Sequence, residues 1–493
     1  MSLLGIDVGT TGCKAAVFDS AGTVIAADYR EYDIIRRLPG QAELDSADVW
    51  NKVGQVISSC AGQAGTDRIE ALSVASMGEA MVPVDSHGRI CGNSVLGTDT
   101  RGAKYLDRLT ARIPAAEIYR ITGQPAGTGY ALPNLCRIKA EEPELYQRTF
   151  KFLPWADFVT YMLTGKMTAN YSLACRTLLF DYKADCWSQA IAGAAEFDLE
   201  KLPDLLPSGQ TLGTISGKMS SEFGLPPDVQ VVTGTHDQCA ATLGAGVSEA
   251  GTAMLGLGTY ACMVMAHEHP DASSPFVRLG VNIENHAIPE QYVSFIYHGS
   301  GGALIKWLRD EMFRDLQGGS AYSRMFEELS RTKDTPVVLP YFAETGPLDY
   351  ASGGRGAICG LSFAHSRADI LNAALQGIIF YFKDALDQLR SGGSPVRSVH
   401  VSGGGAESEA WRQMIADILD IPVIKPQIKE CGALGAAIVA GVGTGRYKSF
   451  DEAITGLVKI ENEFQPQPEH KKQYAAAFKQ YSSWKTALSA CKI

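Results

Sequence analysis

The 493-residue sequence contains no Cys-x-x-Cys pair, and its 11 cysteines stand singly and in odd number. That pattern excludes a disulfide framework and a thiolate zinc site. No run reaches the ~18 apolar residues of a membrane span. The nearest, 432–443, is short and rich in Gly and Ala, so no membrane partner is expected. Basic charge is scarce as well: 44 Lys and Arg against 54 Asp and Glu leave a net charge of −10. Such a chain is not drawn to a polyphosphate backbone, which argues against nucleic acid as a partner. The first residues form an apolar strand without the basic segment and long apolar core of a signal peptide, so a cytoplasmic location is the expectation. Two phosphate-binding fingerprints are also missing, the GxxxxGK[ST] loop and a GxGxxG after the first strand.

With 45% apolar and 20% charged residues, the chain has the composition of a globular protein of two or three domains. Residues 3–8, 14–18 and 23–29 predict short strands around a Gly-Thr-Thr-Gly turn. Helical spacing of Val49, Trp50, Val53, Val56 and Ile57 follows a cap at Asp45 or Ser46, and 69–76 predicts a fourth strand. The opening third is therefore mixed α/β. Further helices are predicted over 101–113 and 144–164, and a buried strand at 228–233 leads into a helix over 237–246. Residues 251–265 repeat the strand, Gly-Thr turn, strand pattern of 5–18, which suggests two halves of one architecture meeting near 246–251. A strand at 398–402, a triple-glycine turn, helices over 408–419 and 432–441, and a helical tail over 464–490 complete the reading.

Four stretches can carry chemistry. In Asp7-Val8-Gly9-Thr10-Thr11-Gly12-Cys13-Lys14, glycines and Thr hydroxyls suit phosphate oxygens, Lys14 can neutralise a β- or γ-phosphate, and Asp7 can hold Mg²⁺ directly or through water. A tight hairpin with a chance Asp and Lys would look the same. In Thr233-Gly234-Thr235-His236-Asp237, Asp237 is either a helix N-cap or a general base facing a substrate hydroxyl, and His236 reads as a satisfied loop residue. A helix N-terminus weakens a carboxylate as a base, which phosphoryl transfer tolerates. Gly256-Leu257-Gly258-Thr259, with Gly299-Ser300-Gly301-Gly302 before a helix, suits anion contacts from backbone amides. Ser402-Gly403-Gly404-Gly405-Ala406 can admit a flat ring or a phosphate near the backbone. Each is weak alone; together they favour a nucleotide held between two domains.

Taken in order, these residues resemble the FGGY carbohydrate kinase family, xylulokinase-like, of the actin/hexokinase/Hsp70 superfamily. The most specific stretch is GAICGLSFAHSRADILNAALQ at 356–376. It has Gly-x-aliphatic-x-Gly-Leu, a seven-residue gap, Asp369-Ile370 and Ala373-Ala374-Leu375-Gln376. GIDVGTTGCKAAVFD and GGGAESEAWRQMIADIL match the family as well. The resemblance implies an α/β protein of two ribonuclease H-like (actin/hexokinase-type) domains, each with a mixed β-sheet, around a central cleft. Residues 1–246 would bind sugar and 247–445 mainly ATP, with 446–493 as a helical tail. It implies a kinase that phosphorylates a small ketose such as a pentulose of the xylulose or ribulose type, using ATP and Mg²⁺. A polyol kinase of the glycerol or erythritol type and a non-kinase ATPase remain alternatives, and a homodimer is compatible with the family.

Position by position, Thr10, Thr11, Gly12 and Lys14 look like the first phosphate loop. Gly258 and Thr259 look like the second, with Gly302 near the phosphates. Gly404, Gly405, Ala406 and Glu409 look like the adenosine site. Asp237 matches the catalytic Asp and Asp7 the Mg²⁺-associated one. Met77, Gly78, Glu79 and Asp99, together with Asp237, stand where the family binds substrate. Here the chain departs from the pattern: Met77-Gly78-Glu79 mixes xylulokinase and glycerol kinase motifs, Gly97 replaces a Trp, and Asn134 and Arg137 replace Lys and Trp.

Overall fold

The fold is that of a computed structural model, which describes residues 2–268, 275–316, 318, 320–331, 335–343, 346–347, 355–390 and 395–490. Two seven-stranded mixed sheets dominate it. The first is built from β1 (Ser2–Val8), β2 (Gly12–Phe18), β3 (Val24–Glu31), β4 (Ile69–Ser76), β5 (Thr211–Thr214), β6 (Gln230–Val232) and β7 (Thr235–His236). Its order is β5-β6-β4-β1-β2-β3, with β7 pairing onto the end of β4. The second uses β8 (Thr252–Leu257), β9 (Ala261–His267), β10 (Glu284–Asn285), β11 (Tyr292–His298), β12 (Ser398–Ser402), β13 (Val423–Pro426) and β14 (Ile460–Phe464). Its order is β10-β11-β9-β8-β12-β13-β14. The echo between 5–18 and 251–265 is thus real in three dimensions. Each opens a sheet as an antiparallel hairpin whose first strand also pairs in parallel with a later one.

The central strands are apolar on both faces because helices cover both. In the first sheet Leu4, Ile6 and Val8 pack under Val49, Val53, Val56 and Ile57 of α1 (Ser46–Ala64). The Asp45 carboxylate caps that helix, accepting from the N–H groups of Ala47 and Asp48. Alternate residue Leu3 points the other way, with Ala16 and Phe18, toward a helix from the far end of the chain.

That exchange defines the junction between the halves. The helices concerned are α2 (Asp237–Gly244), α3 (Gly302–Met312), α4 (Arg367–Arg390), α5 (Glu409–Leu419), α6 (Cys431–Gly443) and α7 (Pro468–Ala490). α6 lies in sequence between β13 and β14 of the second sheet yet packs on the first through Ala433, Leu434, Ala437 and Ile438. α2 follows the first sheet yet shares a cluster with Met254 and Val264 of the second through Cys239. The two helices cross backbone to backbone: a Cβ at Gly435 would enter the Ala240 carbonyl, and one at Gly244 the Cys431 carbonyl. Glycine is required at that crossing.

Two expectations need correction. The helix predicted over 144–164 is broken into Pro143–Arg148, a strand at Lys151–Pro154, and Trp155–Thr164. The strand pairs with Met81–Val84, and tertiary pairing overrides helical spacing there. The segment after 446 is more than a helical tail: β14 completes the second sheet against β13, and α7 buries Tyr481 on Phe380 of α4. Among the described residues no helix is long and apolar enough to cross a membrane.

Candidate functional site

Parallel register brings three strand ends of the first sheet to one place. Val8 pairs with Ser76, and Ser76 with His236, so the hairpin turn at 9–12, the Met77-Gly78-Glu79 loop and the start of α2 share one rim. In open α/β sheets the carboxyl ends of parallel strands are where ligands bind. Asp237 opens α2, but its side chain is not the cap; the N-cap is His236, with no side-chain cap bond. The Asp237 carboxylate instead projects into the rim, 27% exposed, with Oδ1 3.2 Å from His236 Nε2. Burial raises its pKa, a shift that His236 opposes and Glu79 reinforces. Asp7, at the end of β1, is pushed up to about 7 by burial and by Asp237, against the pull of Lys14. On the second sheet, burial pushes the Cys262 thiol in β9 up to about 12 with help from Asp237. Asp237 therefore stands between the sheets.

Glu79 faces Arg176, whose Nε donates to Glu79 Oε1 at 3.0 Å. Burial would raise the Glu79 carboxyl, but Arg176 and then His236 hold it below the usual carboxylate range. The Arg176 guanidinium lies over the rings of Tyr130 and Phe295, 5.0 and 5.8 Å from their centroids. Its Nη1 comes within 3.5 Å of Glu284 Oε2. Met77 is buried, its N–H donating to the Val8 carbonyl. Gly78 lies flat against the Arg176 side chain. The donor atoms of His236, Cys239 and Glu284 fall within 4.8 Å of one another. His236 and Cys239 both bond Glu284 Oε1, and Arg176 sits on the far Glu284 oxygen. The trio is thus an ion-pair network and not a cation cage.

Asp99, expected to reach a ligand, has its oxygens taken up by protein partners. It is 0% exposed. One oxygen accepts from Ala42 N–H at 2.8 Å, the other from Arg101 N–H at 3.0 Å, and the Arg101 guanidinium grips both. Arg101 also bonds Glu43, so the carboxylate brackets two loops and has no lone pair turned outward.

On the first hairpin Thr10 and Thr11 are exposed, and the turn closes through Gly9 N–H to the Gly12 carbonyl at 2.9 Å. Lys14 is not free: it is ion-paired with Glu430, just before α6. The second hairpin turn exposes Gly258 and Thr259. Gly302 N–H, at the start of α3, donates to the Gly258 carbonyl at 2.7 Å. The triple-glycine turn closes on the same place. Gly403 has φ +84°, and a Cβ there would strike the Leu257 carbonyl, so only glycine fits. Gly404 is exposed, with open space where a side chain would be. The Ala406 methyl is buried, so only its backbone can face a ligand. Glu409 begins α5 with its side chain 78% exposed.

Three participants carry no local signal in the sequence: Arg176, Tyr130 and Glu284 lie in no motif and reach the rim only through tertiary folding. His236 does lie in one of the singled-out stretches, but its sequence context suggests only a satisfied loop residue.

The residues at 2–244 match the model of the FGGY family of carbohydrate kinases, N-terminal domain, and those at 253–444 the C-terminal domain. A xylulose kinase of Staphylococcus epidermidis is 26% identical over 491 residues, covering 98% of this chain and 96% of that protein. A gluconokinase of Bacillus subtilis is 24% identical over 488 residues, covering 96% and 93%. The crystal structure of xylulose kinase from Rhodospirillum rubrum superposes with a TM-score of 0.90 at 24% identity, covering 99% of each chain.

Proposed function

Because the chain belongs to the FGGY family of carbohydrate kinases, and so is a phosphotransferase acting on a small sugar, we propose that it transfers the γ-phosphoryl group of ATP to a hydroxyl of a neutral ketose, a pentulose of the xylulose or ribulose type. One observation carries this reading: a carboxylate at a helix start stands in a rim of charged side chains on one sheet and acts on Cys262 of the other, whose hairpin and triple-glycine turns are exposed.

Asp237 is the general base in this reading. Burial raises its proton affinity and offsets the helix N-terminus, which suits the late deprotonation of a loose phosphoryl-transfer transition state. The attacking hydroxyl oxygen forms its bond to phosphorus as its proton passes to Asp237 and the bridging oxygen leaves with ADP. Glu79, steadied by Arg176, accepts hydrogen bonds from neighbouring sugar hydroxyls, and Met77 and Gly78 shape the floor. The carboxylates Asp7, Glu79, Asp237, Glu284 and Glu430 outnumber the cations Lys14, Arg176 and His236. That balance repels a sugar acid and accepts a neutral polyhydroxy ligand, which favours the chemistry of the xylulose kinase relatives over that of the gluconokinase.

Backbone N–H groups around Thr10, Thr11 and Gly12, and around Gly258, Thr259 and Gly302, would receive the phosphates. The flat turn at Gly404, Gly405 and Ala406 would receive the adenosine, with Glu409 at its edge. Lys14 would exchange Glu430 for phosphate oxygens. Asp7 fits a divalent cation: it is a largely buried carboxyl raised by burial and by the neighbouring Asp237 more than Lys14 lowers it, the oxygen-donor chemistry Mg²⁺ takes. Kinases of this family typically use Mg²⁺, which when bound neutralises phosphate charge. Residues 1–246 form the sugar side and 247–445 the nucleotide side, and β14, after 446, completes the second sheet.

The test is ADP release measured with D-xylulose, D-ribulose, gluconate and glycerol. A pentulose should lead in kcat/KM by about tenfold or more. A lead for gluconate or glycerol, or ADP release that ignores the sugar, overturns the proposal.

A further inference from the structure

A carboxylate in the first turn of a helix can swing between rotamers, and a general base that wanders by an ångström loses much of its value. The surroundings of Asp237 remove that freedom in an unusual way. His236, immediately before it, hydrogen-bonds through Nδ1 to Glu284 Oε1 at 2.7 Å, and its Nε2 lies 3.2 Å from Asp237 Oδ1 as an ion-pair contact. The ring is 6% exposed and lies edge-on to Phe295, with centroids 5.7 Å apart. Its backbone N–H donates to Ser172 Oγ at 2.9 Å. Glu284 is fully buried, and its second oxygen faces Arg176. The imidazole is therefore held by a hydrogen bond to Glu284 on one side and stands within ion-pair distance of Asp237 on the other.

Glu284 does not come from the sheet that carries Asp237. It lies in β10 of the second sheet, on a segment that reaches across and docks on the first half. Tyr119 Oη donates to the Val281 carbonyl at 2.5 Å, and Ile283 N–H to the Gly123 carbonyl at 2.7 Å. Gln124 Nε2 donates to the Ile283 carbonyl at 2.8 Å. The second half thereby supplies the group that fixes the neighbour of the base.

We propose that His236, clamped by Glu284, is a positioning residue for Asp237, attracting one carboxylate oxygen by its charge so that the other is turned to the sugar hydroxyl. This rests on reading Asp237 as the base. The logic is that of any base oriented by a third group: the buried carboxylate fixes the imidazole, and the imidazole fixes the reactive group. It also tunes the base. The charged and titratable groups facing Asp237 and His236 are Asp7 from β1, Glu79 after β4, Arg176 after the helix Tyr171–Cys175, Cys239 within α2, Cys262 from β9 and Glu284 from β10. Burial disfavours a charged His236, but Glu284 and then Asp237 raise its pKa above the ordinary value. A positive His236 in turn lowers Asp237. Losing either His236 or the Glu284 charge should thus raise the pKa of Asp237, so the acid limb of the kcat–pH profile should move to higher pH.

The test compares Glu284→Gln, His236→Gln and Asp237→Asn with the parent, using the sugar most active in the ADP-release assay. Glu284→Gln keeps the shape of the side chain and one acceptor for the imidazole. It should lower kcat about tenfold near pH 6.5, leave both KM values within about twofold, and move the acid limb upward by about half a pH unit. His236→Gln should do the same more strongly, with Gln able to return part of the activity by donating to Asp237. A lowered kcat with an unmoved acid limb, a change confined to KM, or parent-like activity in both variants overturns the proposal. Should one variant fail to fold, as judged by its melting curve, the other decides between the same outcomes by itself. Asp237→Asn separates the two claims. If it is inactive while the other variants are parent-like, the base reading stands and the positioning role falls; if it remains active, the base reading itself falls.

Discussion

The two sheets follow one plan and end in opposite chemistry. In each, a hairpin strand pairs antiparallel with its neighbour and a further strand follows, on one side; on the other side come parallel partners and an antiparallel edge. The first sheet runs β3-β2-β1-β4-β6-β5 and the second β11-β9-β8-β12-β13-β14. At the matching rims the first presents ionisable side chains: Asp7, Glu79, Asp237 and Arg176. The second presents glycine backbone at 258, 302 and 403–405. Since the frames match, the difference must come from what fills the turns. Side chains that carry protons suit a hydroxyl to be activated, and bare amides suit a phosphate chain whose charge is already present. The crossing of α2 and α6, each packed against the other half's sheet, keeps the two rims facing each other.

The comparison breaks most sharply at Asp237. Asp237→Asn should lower turnover by about a thousandfold while ATP affinity, measured by calorimetry, changes little; substantial residual turnover would remove the charged rim's leading role. Asp7→Asn should cost turnover on the order of a hundredfold, and it carries a pH signature. The folded Asp7 carboxyl sits at about 7, above its unfolded value of 3.8. Its contribution to stability is therefore fully present below the unfolded value and lost as pH rises through 7. The melting temperature of the ligand-free parent should consequently fall between pH 5.5 and pH 8 by more than that of Asp7→Asn. Equal falls would mean that Asp7 is not strained by its surroundings. On the opposite rim, Gly403→Ala forces a Cβ at φ +84° against the Leu257 carbonyl, a strain of about 1–3 kcal/mol. KM for ATP should rise about tenfold for each 1.4 kcal/mol that reaches the bound state, and KM for the sugar should stay put. A sugar-side defect from Gly403→Ala would show that the rims are not divided as described.

How much of this is legible in the sequence depends on distance along the chain. Both hairpins, the helix starting at Asp237 and the turn at 403–405 follow from local spacing, because strand period, glycine and helix start are short-range properties. The two-sheet architecture follows from the repetition of one hairpin pattern. What is not legible is partnership. Lys14 meets Glu430, 416 positions away, and Arg176 meets Glu284 across 108. No motif marks either pair, and burial decides both. The same limit applies over 144–164, where pairing with Met81–Val84 takes four residues out of a helical pattern.

Asp99 sharpens the comparison from the other direction, since a carboxylate that looks like a substrate ligand in sequence should here be silent in catalysis. Its oxygens are consumed by Ala42 N–H and by Arg101, and Arg101 outweighs burial to hold the carboxyl below its ordinary value. Asp99→Asn keeps the shape, loses the charge and leaves Arg101 with Glu43 as its remaining carboxylate partner. Breaking one side of a buried charge network costs stability, on the order of 1–3 kcal/mol. The folded pKa is depressed, so the parent's advantage over Asp99→Asn should be present at neutral pH and disappear as pH falls through the folded value. Melting curves at pH 7 and pH 4 check that sign. Steady-state kinetics below the melting range should show kcat and both KM values within about twofold of the parent, because a change outside the rim removes no interaction specific to the transition state. A rise in sugar KM without loss of stability would return Asp99 to the binding rim and move the boundary of the charged surface past the loop that Arg101 now closes.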